Sequence, residues 1–263
     1  MKRIGYTSLA AVALLAAAAT FAFATPSPNS AKIFLRVFND CPTSVVSSTN
    51  LYPASITITD IMNPACVGFA NQHLWGFSEN GGVDQSLFIN NSHYHFSAFV
   101  TISGNGEGEG GLRLAPWWSI NGAKIMINAS TGEIACFDGR LPFYSFTAGY
   151  GLTYVKGTTV KMEFTYLANG LSLGSPATIE YRYTDGSGTY SSGALPFDQG
   201  NPAEDPPHGL WGALNDATVG GYFQPRANTG ADLTCTWQEI TFDNLDVVST
   251  EKSSWGRLKA LYR

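Results

Sequence analysis

The sequence predicts an all-β protein, a two-sheet antiparallel β-sandwich, and three observations predict it. Apolar and polar residues alternate at a period of two along stretch after stretch. Segments such as "NGG", "STG", "DGSG" and "NTG" separate these stretches. Beyond the N-terminus, no window of 11 or more residues carries a 3.6-residue apolar period until the C-terminal tail. Successive strand side chains point to opposite faces, so a period of two marks a strand with one buried side. Glycine, Asn and Asp supply the backbone conformations of tight turns. Many such strands without intervening helices pack as an antiparallel sandwich or barrel.

Taken in order, the chain opens on Met1, Lys2 and Arg3, then an alanine-rich apolar run at 9–23, then Ala22-Phe23-Ala24 before Thr25. A charged start, an apolar run and a small-x-small cleavage site make a secretory signal peptide over 1–24. The run is shorter than the roughly 20 residues that span a bilayer. Residues 25–30, "TPSPNS", read as a spacer, 31–248 as one sandwich domain and 249–263 as a separate tail. Strands are expected at 33–38, 55–61 and 73–78. "HYHFSAFVTI" follows, with Tyr94, Phe96, Ala98, Val100 and Ile102 on one face. Further strands are expected at 112–115, 123–128, 133–137 and 143–147. "TVKMEFTY" sets Val160, Met162, Phe164 and Tyr166 against polar partners, and "TIEYRY" does the same with Ile179, Tyr181 and Tyr183. The last strands are expected at 189–193, 209–213, 219–223 and 235–247. In the tail, Ser253 or Ser254 caps a short amphipathic helix carrying Trp255, Leu258, Leu261 and Tyr262 on one face. Its two readings are a helix docked on the sandwich and a surface-anchoring signal.

Charge and cysteine usage narrow the setting. Removal of the signal peptide takes Lys2 and Arg3 with it, leaving 13 basic and 20 acidic residues, formally −7. That excess of acid argues against a nucleic-acid partner, whose binding depends on Lys and Arg at phosphates. Four cysteines, Cys41, Cys66, Cys136 and Cys235, make an even number in an exported chain, which predicts two disulfides. Sequence leaves all three pairings open, with Cys41 and Cys66 closing the shortest loop. The cysteines stand apart from one another and from the four histidines, unlike metal ligands.

Several constellations bear on chemistry. "GEGEGG" at 106–111 fits Gly-x-Gly-x-x-Gly, but a strand-like "LRLAPWW" with Pro116 follows where a dinucleotide loop needs a helix N-terminus. Glu107 and Glu109, two apart, would stand about 7 Å from each other on an extended strand, within the range of glycosidase carboxylate pairs. Glycine on both sides of each denies them rigid support. As turn residues they face water. Calcium is the ion expected of the acid-rich segments, with Asp40 and Asp243 as ligands if the first and last strands are neighbours. The Pro-stiffened segment 197–209 gathers Asp198, Asn201, Glu204, Asp205 and His208, and loops are where a sandwich carries function. Trp117 and Trp118 are adjacent, so an extended backbone buries one and exposes the other as a platform for a sugar ring. Trp75 and Trp211 are lesser candidates for that role. No nucleophile elbow or flanked catalytic cysteine appears.

The order "IFLRVF", then "HFSAFVTISGNGEGEGGLRL" as a long central hairpin, then "GEIACF", "VKMEFTY" and "WQEITFDNL" resembles concanavalin A-like and laminin G-like jelly rolls over most of 31–248. "GLRLAPWWS", "GEIACFDGRLPFYSF" and "WGRLKALYR" are similar to segments of exported bacterial proteins of unassigned activity. The first resemblance implies glycan or protein binding, or polysaccharide cleavage. The retaining β-glucanases of that superfamily carry Glu-x-Asp-x-x-Glu. Here Glu109 replaces the Asp and Leu112 the final Glu, so no catalytic residue carries over.

The sequence therefore reads as a secreted, periplasmic or cell-surface ligand-binding domain without catalysis, its partner an extracellular or envelope glycan. Trp117, Trp118, Asp198, Asn201, Glu204 and His208 are its candidate binding residues. The alternatives are a polysaccharide hydrolase or lyase using Glu107, Glu109 or the 197–209 loop, and a structural envelope or adhesion protein working through its tail.

Overall fold

The computed structural model describes residues 25–116, 119, 122–197, 211–213, 215–227 and 230–246. Among the described residues fourteen strands form: β1 Ser30–Asn39, β2 Val45–Leu51, β3 Ser55–Ile61, β4 Asn71–Ser78, β5 Tyr94–Gly104, β6 Gly108–Ala115 and β7 Lys124–Asn128. After them come β8 Ile134–Phe137, β9 Tyr144–Ser145, β10 Thr159–Leu167, β11 Thr178–Asp185, β12 Gly188–Pro196, β13 Thr218–Pro225 and β14 Asp232–Asn244. One short helix, α1 Phe146–Tyr150, follows β9. Sheet I has the order β1-β4-β13-β6-β7-β8-β9, and sheet II the order β12-β11-β10-β5-β14-β3-β2. All the neighbours pair antiparallel, giving the jelly-roll sandwich expected.

The alternation puts its apolar face where expected. From sheet II, Tyr94, Phe96, Ala98, Val100 and Ile102 of β5 are buried, as are Val160, Met162, Phe164 and Tyr166 of β10. From sheet I, Trp75 and Phe77 of β4, Leu112 and Leu114 of β6, and Val219 and Phe223 of β13 complete the same core. Aromatic rings meet edge to face at its centre: Trp75 with Trp237 at 6.0 Å between centroids, and Phe77 with Phe96 at 4.9 Å. The two indoles fit because β13 presents bare backbone to them. A Cβ on Gly221 would stand 2.2 Å from Trp75 Nε1 and 2.7 Å from Trp237 Nε1. The Trp237 indole N–H donates to the Gly111 carbonyl at 2.9 Å, so its polar atom is satisfied inside the core.

Four sequence expectations change. "SGNGEGEGGL" is not a hairpin turn: β5 lies in sheet II and β6 in sheet I, so the segment crosses between the sheets. Gly108 permits this with φ +153 and a backbone so close to β13 that a Cβ would meet the Gln224 carbonyl at 2.5 Å. Strand β2 was not expected, because as a sheet edge it is exposed along most of its length and carries no alternation. The strand expected at 143–147 is cut short. Ser145 caps α1 by accepting from Ala148 N–H, and Gly151 in the left-handed region ends it. The described part of 209–213 is a bend, its Trp211 carbonyl accepting from Ala177 N–H at 2.7 Å.

One disulfide forms where two were expected. Cys41 joins Cys66, while Cys136 and Cys235 are free and buried, packed in the core from opposite sheets. Burial pushes both thiols well above the ordinary range, as for small core hydrophobes. Among the described residues no helix is long and apolar enough to cross a membrane. Residues 1–24 and the tail 249–263 lie outside the described residues.

The contact between Gly221 and the indoles generates a stability prediction. Gly221→Ala should destabilise the fold by about 1–3 kcal/mol or more, the cost of forcing volume into a filled core. Chemical denaturation followed by tryptophan fluorescence checks this, and an unchanged midpoint would remove the close-packing account.

Candidate functional site

The outer face of sheet I holds a cleft, and the register shows why. One row of cross-strand partners reads Lys32, Gly76, Gly220, Arg113, Lys124 from β1 to β7. Alternation puts this row opposite Trp75 and Leu112, hence away from the core. Two neighbouring strands carry no side chain in this row, and the cleft opens beside Arg113. The Gln85 side chain lies across Gly76, where a Cβ would come within 2.1 Å of its Nε2. Phe34, Val37, Leu74, Leu87 and Pro116 give the cleft apolar walls. Gln85, Arg113, Asp216 and Thr218 give it polar groups, and its volume is about 620 Å³.

Arg113 is the unusual residue of this cleft. It is 4% exposed. Its Nη1 donates to Thr218 Oγ1 at 2.8 Å and its Nη2 to the Ser119 carbonyl at 3.3 Å, while Nε has no partner. Burial lowers its pKa to about 10, so it remains a cation at neutral pH. Neighbouring Lys124 is differently served. Its Nζ donates to Glu109 Oε1 at 2.7 Å and Gln224 Oε1 at 2.8 Å, and sits 5.4 Å from the centroid of the Tyr222 ring.

These contacts locate several sequence candidates. Glu109 is mostly buried against Lys124, not turned to water. Glu107 is half-exposed and paired with Arg226 at 2.9 Å. The two carboxylates thus serve different cations, and neither lines the cleft. Asp40 and Asp243 are not brought together. Their strands belong to different sheets, and Asp243 lies near the end where Thr25 bonds Asp246, a full length of β1 away from Asp40. Asp40 Oδ2 instead accepts from Phe69 and Ala70 N–H. Among the described residues no group of three or more His, Cys, Asp or Glu could hold a metal ion. Trp75 is core and no sugar platform.

Trp117, Trp118, Asp198, Asn201, Glu204, Asp205 and His208 lie outside the described residues. Their flanks are described. Pro116 lines the cleft, and the Ser119 carbonyl accepts from Arg113. Sequence reasoning passed over Arg113 and Lys124. The available signal was a cation between two leucines in "GLRLA", placed by alternation on the face opposite the core.

One buried constellation has the residue types of a catalytic pair. His73 Nδ1 accepts from Arg36 N–H, so Nε2 carries the proton and donates to Asp60 Oδ2 at 2.9 Å. Burial works against the Asp60 charge, yet hydrogen bonds from His73, Asn71 and Ser44 hold its pKa below the usual value. Both residues are fully buried and both imidazole nitrogens are engaged. The pair joins β3 of sheet II to β4 of sheet I.

No protein-family model and no curated protein matches the chain. Among solved structures it is similar to a protein of unknown function from Shewanella oneidensis MR-1, at 12% identity over 82% of this chain and 80% of that one, TM-score 0.42. It is also similar to the cellulose induced protein Cip1, at 13% over 81% and 91%, TM-score 0.41. The Emp47p carbohydrate recognition domain is similar at 7% over 82% and 89%, TM-score 0.41. Likenesses this distant transfer no function.

A titratable cluster lies on the outer face of sheet II. His95 of β5 bridges Glu163 of β10 at 3.3 Å and Asp243 of β14 at 3.2 Å, and Lys161 also reaches Glu163 at 2.7 Å. The hydrogen bond to Glu163 raises the His95 pKa against the opposing effect of burial, and Asp243 adds to the rise. The hydrogen bond from His95 lowers Glu163 to about 2, again against burial, with Lys161 helping. The His95 contribution to stability is therefore full below pH 6.5 and is lost as pH rises through its raised folded value. The Glu163 contribution is present above pH 4.5 and is lost as pH falls towards 2. Urea denaturation should show His95→Gln costing more stability at pH 5.5 than at pH 8.5. An equal cost at both would refute the three-strand clamp.

Proposed function

We propose that the chain is an exported, non-catalytic carbohydrate-binding domain whose ligand occupies the cleft on the outer face of sheet I. The observation that carries this reading is the cleft itself. Apolar walls with a few convergent polar groups suit a sugar, whose ring faces are apolar and whose edges are polar. Trp117 and Trp118 enter because the chain runs through them between Pro116 and Ser119. The segment with Asp198, Asn201, Glu204 and His208 supplies hydrogen-bonding groups in this reading. Catalysis is left out because Glu107 and Glu109 are each engaged by a cation away from the cleft. Export is supported by the signal-peptide anatomy and by the Cys41–Cys66 disulfide, a bond of oxidising compartments.

A glycan array should return a carbohydrate ligand whose affinity falls roughly tenfold in Trp117→Ala or Trp118→Ala, with no new reducing ends or unsaturated products. Release of oligosaccharide would replace this reading with a hydrolase or lyase. The tail is tested separately. Deleting 249–263 should leave glycan affinity unchanged and move the protein from the cell surface to the medium. Unchanged fractionation would end the attachment role.

A further inference from the structure

We infer that the ligand of the cleft is an acidic glycan and that Arg113 receives the carboxylate of a uronic acid residue. This rests on the glycan-binding reading above and adds the chemical class of sugar.

The argument is one of charge balance. Among the described residues, the acidic and basic side chains below a tenth exposure are Asp60, His73, Arg113 and Lys124. Asp60 is paired with His73, and Lys124 with Glu109. Arg113 has no carboxylate partner: its two contacts are a hydroxyl and a backbone carbonyl, both neutral. A guanidinium withdrawn from water without an anion is costly, and an incoming anion recovers that cost. Of its five N–H groups two are used, and with Nε unpartnered but closed to solvent, the second hydrogens on the two Nη atoms are the ones left for a ligand. A carboxylate is planar, like the guanidinium, and can accept two parallel N–H bonds from it. A neutral sugar cannot provide that pairing.

The surroundings select among anions. Phe34, Leu74 and Leu87 contact the apolar face of a pyranose ring rather than a hydrated ion. Asp216 is exposed on the cleft lining and opposes negative charge, which penalises a strongly charged sulfate or phosphate cluster more than one carboxylate. Burial lowers Arg113 only to about 10, so the receiving charge persists across the physiological range.

Calorimetry on the full mature protein tests this with three probes of equal length: a short oligogalacturonate, its carboxyl-reduced counterpart and a sulfated neutral oligosaccharide. The oligogalacturonate should bind at least about tenfold more tightly than the other two. Arg113→Gln should abolish that preference. Because Arg113 is buried and its variant can fail to fold, Asp216→Asn at an exposed position provides the second arm. It should raise the affinity for the oligogalacturonate relative to the carboxyl-reduced probe about two- to fivefold, and an unchanged ratio counts against the uronate assignment. Equal affinity for the acidic and reduced probes, both weakened by Trp117→Ala, would overturn the uronate assignment and leave glycan binding standing. Tighter binding of the sulfated probe would overturn it too. Failure of all three probes and of the wider array would overturn both readings.

Discussion

The packing of Trp75 and Trp237 against side-chain-free backbone is the constraint on which the rest of the structure depends. The indoles come from opposite sheets and meet at the centre of the sandwich, and they need room that only glycine leaves on β13. Adjacent glycines on β13 face opposite ways. Gly221 admits the indoles on the core side, and Gly220, on the other, sits so close to β4 that a Cβ would meet the Trp75 carbonyl at 2.0 Å.

The two outer faces differ in kind. Sheet II shows water the pattern of a solvated antiparallel face, with hydroxyl pairs between strands such as Thr59 with Thr234 and Thr101 with Thr159. Sheet I buries part of its outer face: Leu74, Met126, Ala135 and Tyr222 form a second small apolar cluster there, with Phe34, Val37 and Phe137 packed against it. A sheet covered on both sides can hold a cation out of water, and Arg113 occupies such a place. The Asp60–His73 pair ties the sheets at a third kind of contact, polar and fully enclosed.

Sequence made the strands legible wherever one face was buried and the other wet, as along β5, β10 and β11. It failed where that asymmetry is missing. Strand β2 is an edge with little to bury, and α1 is one turn set by a Ser cap and a Gly stop. The partner of a strand is a non-local fact, so the glycine-rich segment at 103–112 looked like a hairpin although it changes sheets. Alternation placed Arg113 opposite Leu112, but its burial and its bonds to Thr218 and the Ser119 carbonyl are set by the folded chain.

The two thiols sealed in the core set an order on the making of this molecule. Four cysteines can join in three ways, and an oxidising compartment favours none of the free thiols staying free. Cys136 and Cys235 escape because each is shut behind its sheet. In the exported setting proposed above, the sandwich would have to close over them before an oxidant reaches them, so the order of collapse and oxidation would govern the yield of native chains.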